Sequence, residues 1–185
     1  MTGEIIMRKY LGTSDLASRC EHSLSVAKLS YQVAQKIKQR NPELALSPEF
    51  VCFLGYVHDI GYAIHFHEHE LHTVNILVSQ EHIPREIADM SMHGQLAEQR
   101  ENPYYLPRGL EGMILTYADM SVRIGEPVSL QMRVEEIRKR VEANKKMSLE
   151  LKEKGLATLK KAIPRFERYE RLILTLAQAS SIHDF

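Results

Sequence analysis

Apolar residues recur at three- and four-residue spacing in almost every segment of this chain, and strand-like alternation is missing. That spacing puts one apolar stripe along each segment, which makes helix packed on helix the natural core. Leu16, His22, Val26, Leu29, Val33 and Ile37 define a helix over 14–39, with Ser14 or Asp15 as its cap. Asn41-Pro42 stops it, because proline disfavours helical geometry in the residue before it. Ser47-Pro48 restarts a helix, with serine as N-cap and proline at the first helical position. That second helix runs through Phe50, Val51, Leu54 and Val57 to His58-Asp59, and Gly61 is placed to end it. A loop is expected over 62–70 and a third helix over 71–81, with Leu71, Val74 and Val78 inward. Pro84 opens a short helix that runs to His93 and is closed by Gly94. Residues 95–107, with Asn102-Pro103 and Pro107, read as a long loop, a kind of segment that often carries function. A helix from Gly109 to Ile124 is broken by Gly125-Glu126-Pro127. Two amphipathic helices, 129–154 and 156–179, are split near Gly155, and Pro164 kinks or interrupts the second.

The expected fold is therefore all-α, a helical bundle forming one domain over residues 1–185, a length that supports a single real core. No repeat, low-complexity tract or Gly/Ser linker marks a second domain. The 24 basic and 24 acidic residues cancel, so no overall field points to nucleic acid or to an anionic membrane. Residues 133–171 carry 13 Lys/Arg against 7 Asp/Glu, which reads as a solvated face of mixed charge rather than a recruiter of anionic substrate. Cys20 and Cys52 sit in apolar helical patterns and make no disulfide framework, consistent with buried thiols in a reducing compartment. The N-terminus lacks an apolar core of signal-peptide length and no apolar run reaches spanning length, so a soluble, cytoplasmic protein is expected. The amphipathic C-terminal helices are compatible with a homodimer and equally with packing back onto the domain.

Within this pattern, FLGYVHDIGY carries the chemistry. His58-Asp59 offers a metal one nitrogen and one carboxylate from a single point of the backbone. Two ligands are too few, and the candidates for the rest are His22 upstream and His72, His93 and Asp119 downstream. His22, the His58-Asp59 pair and Asp119 fall on three different helices, and helical bundles build metal sites from such inward-facing side chains. His22 shares a stripe with Val26, Leu29 and Val33. Asp119 lies near Ile114, Leu115 and Val122, and a buried aspartate is costly unless it is paired or bound to a cation. Spacing alone does not decide the matter, since a lone histidine on an apolar face is more often a satisfied core residue.

RCEHSLSVAKLS, GYVHDIGY and ILTYADMSV, in that order over about residues 15–130, resemble the H…HD…D pattern of the HD-domain metal-dependent phosphohydrolase superfamily. The resemblance implies an HD-domain helical bundle in which His22, His58, Asp59 and Asp119 hold one divalent metal. Some members add two histidines between the HD pair and the last aspartate and hold a second ion. His72 and His93 stand where those two would fall, and Asp59 would then bridge. This set is similar to that of the bacterial HD hydrolases that split diadenosine tetraphosphate symmetrically. HHExxDGxGYP, the further signature of one class that cuts cyclic dinucleotides, is absent.

The implied activity is cleavage of a phosphoester or phosphoanhydride bond of a small nucleotide by a metal-activated water. A divalent ion lowers the pKa of its bound water to about 7 and polarises phosphoryl oxygens. One or two transition ions (Fe, Mn, Ni, Co or Zn) suit mixed imidazole and carboxylate ligands better than magnesium does. Arg19, one turn before His22, and Arg123, one turn after Asp119, are the candidate phosphate grips. Lys28 points to another face, and Arg100 and Arg108 flank the long loop. His65, His67 and His69 alternate in HFHEHELH and read as solvated loop residues at the mouth, with His65 or His67 a candidate proton donor. His82 and His183 have no evident partner. The alternative from another class is a non-catalytic HD-fold nucleotide-binding or regulatory module, and the blandest is a structural bundle with no metal.

Overall fold

A computed structural model describes residues 3–123, 125–145 and 147–185 of the chain. Among them run the helices α1 (Gly3–Leu11), α2 (Ala17–Arg40), α3 (Pro48–Val57), α4 (His69–Ser79), α5 (Arg85–Ala88), α6 (Leu96–Arg100), α7 (Gly109–Asp119), α8 (Leu130–Ala143) and α9 (Leu149–Ala177). Short 3-10 turns at Ile60–Ala63, Asp89–Ser91 and Pro103–Tyr105 link several of them. The all-α expectation holds. One small antiparallel hairpin departs from it, with β1 (Val122–Arg123) paired to β2 (Glu126–Pro127).

Local chemistry explains most boundaries. Ser47 caps α3 by accepting from the Phe50 amide at 3.2 Å, with Pro48 in the first turn. Asn41 closes α2: its side-chain amide donates to the Ile37 carbonyl at 2.9 Å and to the Leu176 carbonyl of α9 at 2.8 Å. Four expectations need correction. The helix expected to reach Ile124 stops at Asp119, because Gly125 takes a left-handed turn (φ 82°) and folds the chain back into the hairpin; Ile124 itself lies outside the described residues. The break between the two C-terminal helices falls at 144–148 rather than at Gly155. There Ser148 caps α9 by accepting from the Leu151 amide at 3.3 Å, and Gly155 lies inside that helix. Pro164 is also carried within α9 without interrupting it. The segment expected to be a long loop holds α6 and a 3-10 turn capped by Asn102, which accepts from the Tyr104 amide.

Two clusters of buried side chains fill the body. One joins α2, α3, α7 and the end of α9 through Val33, Ile37, Leu54, Leu115 and Ile173. The other joins α1, α3 and α4 through Met7, Leu11, Val57, Ile60 and Leu77. Each fully buried aliphatic side chain here contributes about 1.5–3 kcal/mol. A third cluster, with Met120, Leu130, Ile137, Leu159, Ala162 and Phe166, seats the α8–α9 hairpin on the body. The stripe Leu159, Ala162, Phe166, Tyr169, Ile173 and Ala177 lets α9 span both regions.

One close crossing positions the site. A Cβ on Gly55 would stand 2.5 Å from Ala27 Cα, so α2 and α3 meet nearly backbone to backbone. That contact brings His58, at the end of α3, beside His22 of α2, with ring centroids 5.5 Å apart. Cys20 is buried, Cys52 is half-buried, and both are free thiols. Among the described residues no helix is long and apolar enough to cross a membrane.

Candidate metal centre

The turn after α3 is held by hydrogen bonds to α4. The Thr73 hydroxyl donates to the His58 carbonyl at 2.9 Å and accepts from the Gly61 amide at 2.9 Å. Gly61 lies so close to α4 that a Cβ there would fall 1.9 Å from the His69 carbonyl oxygen. The HDIG turn and the first turn of α4 therefore form one unit, with Asp59 facing His69.

Asp59 stands at the centre. Its Oδ1 lies 3.5 Å from His58 Nε2, 3.3 Å from His69 Nε2 and 3.7 Å from His93 Nε2. Asp119, at the end of α7, takes a 2.9 Å contact from His22 Nε2 and lies 3.9 Å from His58 Nε2. Two ligand-like groups result, one of His22, His58 and Asp59 and the other of Asp59, His69 and His93, and Asp59 belongs to both.

The histidines are oriented from behind. His58 Nδ1 donates to the Gly55 carbonyl at 2.7 Å, and His93 Nδ1 donates to the Ser91 carbonyl at 2.8 Å. A carbonyl only accepts, so both rings carry a proton on Nδ1 and turn Nε2 toward Asp59. Thr116 holds the backbone at His93 by donating between the His93 and Gly112 carbonyls.

The electrostatics agree. Complete burial pushes the His58 pKa down to about 4, against the pull of Asp59 and Asp119, so the ring is neutral at pH 7. Burial opposes the charge on Asp59, but His58, His69 and Arg19 hold it well below the usual carboxylate range. Burial likewise opposes ionisation of Asp119, and the hydrogen bond from His22 with the nearby histidines overcomes it. For His69 burial works downward, and the Glu70 and Asp59 carboxylates raise it to about 9. Burial and Asp59 together push the Tyr62 phenol up.

A divalent ion fits this donor set. The His58 Nε2 is buried with no hydrogen-bond partner among the described residues, an arrangement that costs free energy unless something electrophilic accepts its lone pair. Two ionised, buried carboxylates beside a neutral His58 imidazole with a second-side hydrogen bond suit a transition-metal ion.

The family model for the HD domain matches residues 19–123. The chain belongs to the HD-domain family. The matched span contains the whole cluster, from Arg19 and His22 to Asp119, whereas α8 and α9 lie beyond it. Comparison with curated proteins and with solved structures finds no match. The HD domain is associated with metal-dependent phosphohydrolases, and the His/Asp groups of this member have the composition that chemistry uses.

The donors that the fold brings together differ from the set read in the sequence at one position of the second group. His72 was the expected ligand, but α4 begins at His69, two residues earlier than its apolar pattern suggested, and His69 in its first turn meets Asp59. His72 is half-buried one turn on and belongs to neither group. A signal was present: His69, Thr73, Ile76 and Leu77 form a stripe at i, i+4, i+7 and i+8, which places His69 inward. Glu70 was also missed; it is buried, with its carboxylate 3.5 Å from His69 Nδ1.

Arg19 reaches Asp59 Oδ2 at 3.4 Å and lies over the Tyr62 ring at 4.0 Å from its centroid. Arg123 sits exposed on β1. Arg100 pairs with Glu68, and Arg108 pairs with Asp89 and covers Tyr104, so both flanking arginines of the α6 region are engaged in the fold. His65 and His67 are exposed. A cavity of about 520 Å³ opens over the cluster. Its inner end carries Asp59, His69, His93 and Asp119, and its outer wall comes from Phe66 and His67 and from the α8–α9 hairpin.

Proposed function

We propose that this protein is a metal-dependent phosphohydrolase that cleaves a phosphoester or phosphoanhydride bond of a small nucleotide, with a dinucleoside polyphosphate as the leading substrate. The observation that carries the proposal is Asp59. Its carboxylate is shared by two His/Asp groups, next to a buried imidazole nitrogen that has no partner. His22, His58, Asp59 and Asp119 would hold one ion, and Asp59, His69 and His93 a second. Divalent ions supply a water acidified to about neutral pH and charge relief at phosphoryl oxygens.

The residues around this centre do the remaining work. Arg19, over the Tyr62 ring, presents guanidinium N–H groups beside Asp59 and is the candidate grip for a phosphoryl oxygen. Glu70 and the Ser91 carbonyl fix the His69 and His93 rings from their far sides. His67 brings an exposed imidazole to the cavity wall and is the candidate proton donor to a leaving group. Ile137, Val141, Leu151 and Phe166 offer apolar surface for a base, and about 520 Å³ suits a small-molecule site, whose usual range is about 300–1,000 Å³.

The test is a panel of nucleotide substrates offered to the wild type and to Asp59→Ala, each loaded with Mn, Fe, Co, Ni or Zn. The expected result is turnover by the wild type and loss of both metal and turnover in Asp59→Ala. Undiminished turnover by metal-free Asp59→Ala would contradict the proposal.

A further inference from the structure

On the far side of His22 lies a second cavity, of about 240 Å³, to which the reading above gives no role. Its wall is basic. Arg19 from α2, Arg123 from β1 and Arg133 and Arg140 from α8 surround it, with Glu21 and Glu136 as the acidic residues. Four guanidinium groups thus face two carboxylates. Their mutual ion pairs do not cancel the excess: Glu136 is shared between Arg133 and Arg140, and Arg123 makes no ion pair among the described residues.

Arg133 is the most telling of the four. It is only 7% exposed, and its Nε is buried with no hydrogen-bond partner among the described residues. A buried N–H of a cation left unpaired is expensive, and an anionic oxygen in the adjoining cavity would satisfy it. Guanidinium forks match phosphate oxygens two at a time, which a scatter of lysines would not. Arg19, Arg133 and Arg140 line both cavities, so they form the partition between the Asp59 cluster and the basic chamber. Arg133 and Arg140 stand on α8, beyond the span that matches the HD domain.

We infer that the basic chamber is a subsite for a second phosphoryl group, so that the substrate class is a nucleotide with at least two phosphoryl groups in series. One faces Asp59 and the other is gripped by the arginines. The inference rests on the hydrolase reading for which phosphoryl group is cleaved, and on the chamber alone for the grip.

The test is calorimetric titration of the metal-loaded full chain with uncleavable phosphonate analogues of adenosine 5′-monophosphate and adenosine 5′-diphosphate. The wild type is expected to bind the diphosphate analogue at least about tenfold more tightly than the monophosphate analogue. Arg123→Met and Arg140→Met should each reduce that preference with metal content retained. Arg138→Met should preserve it, because Arg138 lies on α8 outside both cavities and pairs with Glu135 and Glu142. Equal affinity for the two analogues, no binding of either, or a preference that survives both chamber variants would overturn the inference. An arginine-dependent preference without turnover of any substrate would instead sink the hydrolase reading and leave the subsite standing.

Discussion

Gly61 shows how little room the site leaves for change. A methyl group there would stand 1.9 Å from the His69 carbonyl oxygen and 2.6 Å from the Thr73 nitrogen, both backbone atoms. Gly61→Ala must therefore push α4 away from the HDIG turn. The expected cost is about 1–3 kcal/mol in urea denaturation, with reduced metal content because His69 moves with the helix. An unchanged midpoint and full metal would show that the turn and α4 are not coupled in this way. Thr73→Val tests the same contact without adding bulk. It leaves the Gly61 amide without its acceptor in a buried setting, an expected loss of about 1–3 kcal/mol.

At the scale of elements, the α9 helix is tied to the site region by one buried side chain. Arg165 donates to Glu98 of α6 at 2.7 Å and to the Gly94 carbonyl at 2.6 Å, next in sequence to His93. Arg165→Met should cost about 3–5 kcal/mol, since it strands a mostly buried carboxylate, and Arg165→Met with Glu98→Leu should recover a large part of that. Equal denaturation midpoints for wild type and single variant would place the pair among surface ion pairs of little consequence. The helices themselves were legible where apolar spacing, a cap and proline agreed, as at Ser47-Pro48 and Asn41-Pro42. A glycine or proline inside a long apolar stripe does not by itself end a helix. Gly155 and Pro164 both sit inside α9, because a 29-residue helix anchored along its length by Phe166, Tyr169 and Ile173 absorbs such local penalties. The reading of His69 as a solvated loop residue failed for a related reason: the start of α4 is set by tertiary contact with Gly61 rather than by a capping residue, and Glu68 before it is left-handed with no side-chain cap. The convergence of His22, His58, Asp59 and Asp119 was legible because order and residue type carried it; the side of a helix facing a neighbour three elements away was not.

For the whole molecule, the fold divides the labour. The HD-matched part, residues 19–123, converges the His/Asp cluster; beyond it α8 and α9 together wall the larger cavity, and α8 alone brings Arg133 and Arg140 to both. Removing metal should loosen the first part. Ligand that binds only the folded chain stabilises it by about 2.7 kcal/mol at a hundredfold excess over its Kd, so chelation should lower Tm measurably, and re-addition of Mn or Fe should restore it. A Tm indifferent to chelator would mean that the buried donors of Asp59, His58 and His93 are satisfied without an ion. The most direct test of the shared carboxylate is metal content per chain by elemental analysis across four proteins. Two equivalents are expected in the wild type and in His72→Ala, one in His69→Ala, and none in Asp59→Ala. A single equivalent in the wild type, or loss of metal in His72→Ala with His69→Ala intact, would contradict that sharing.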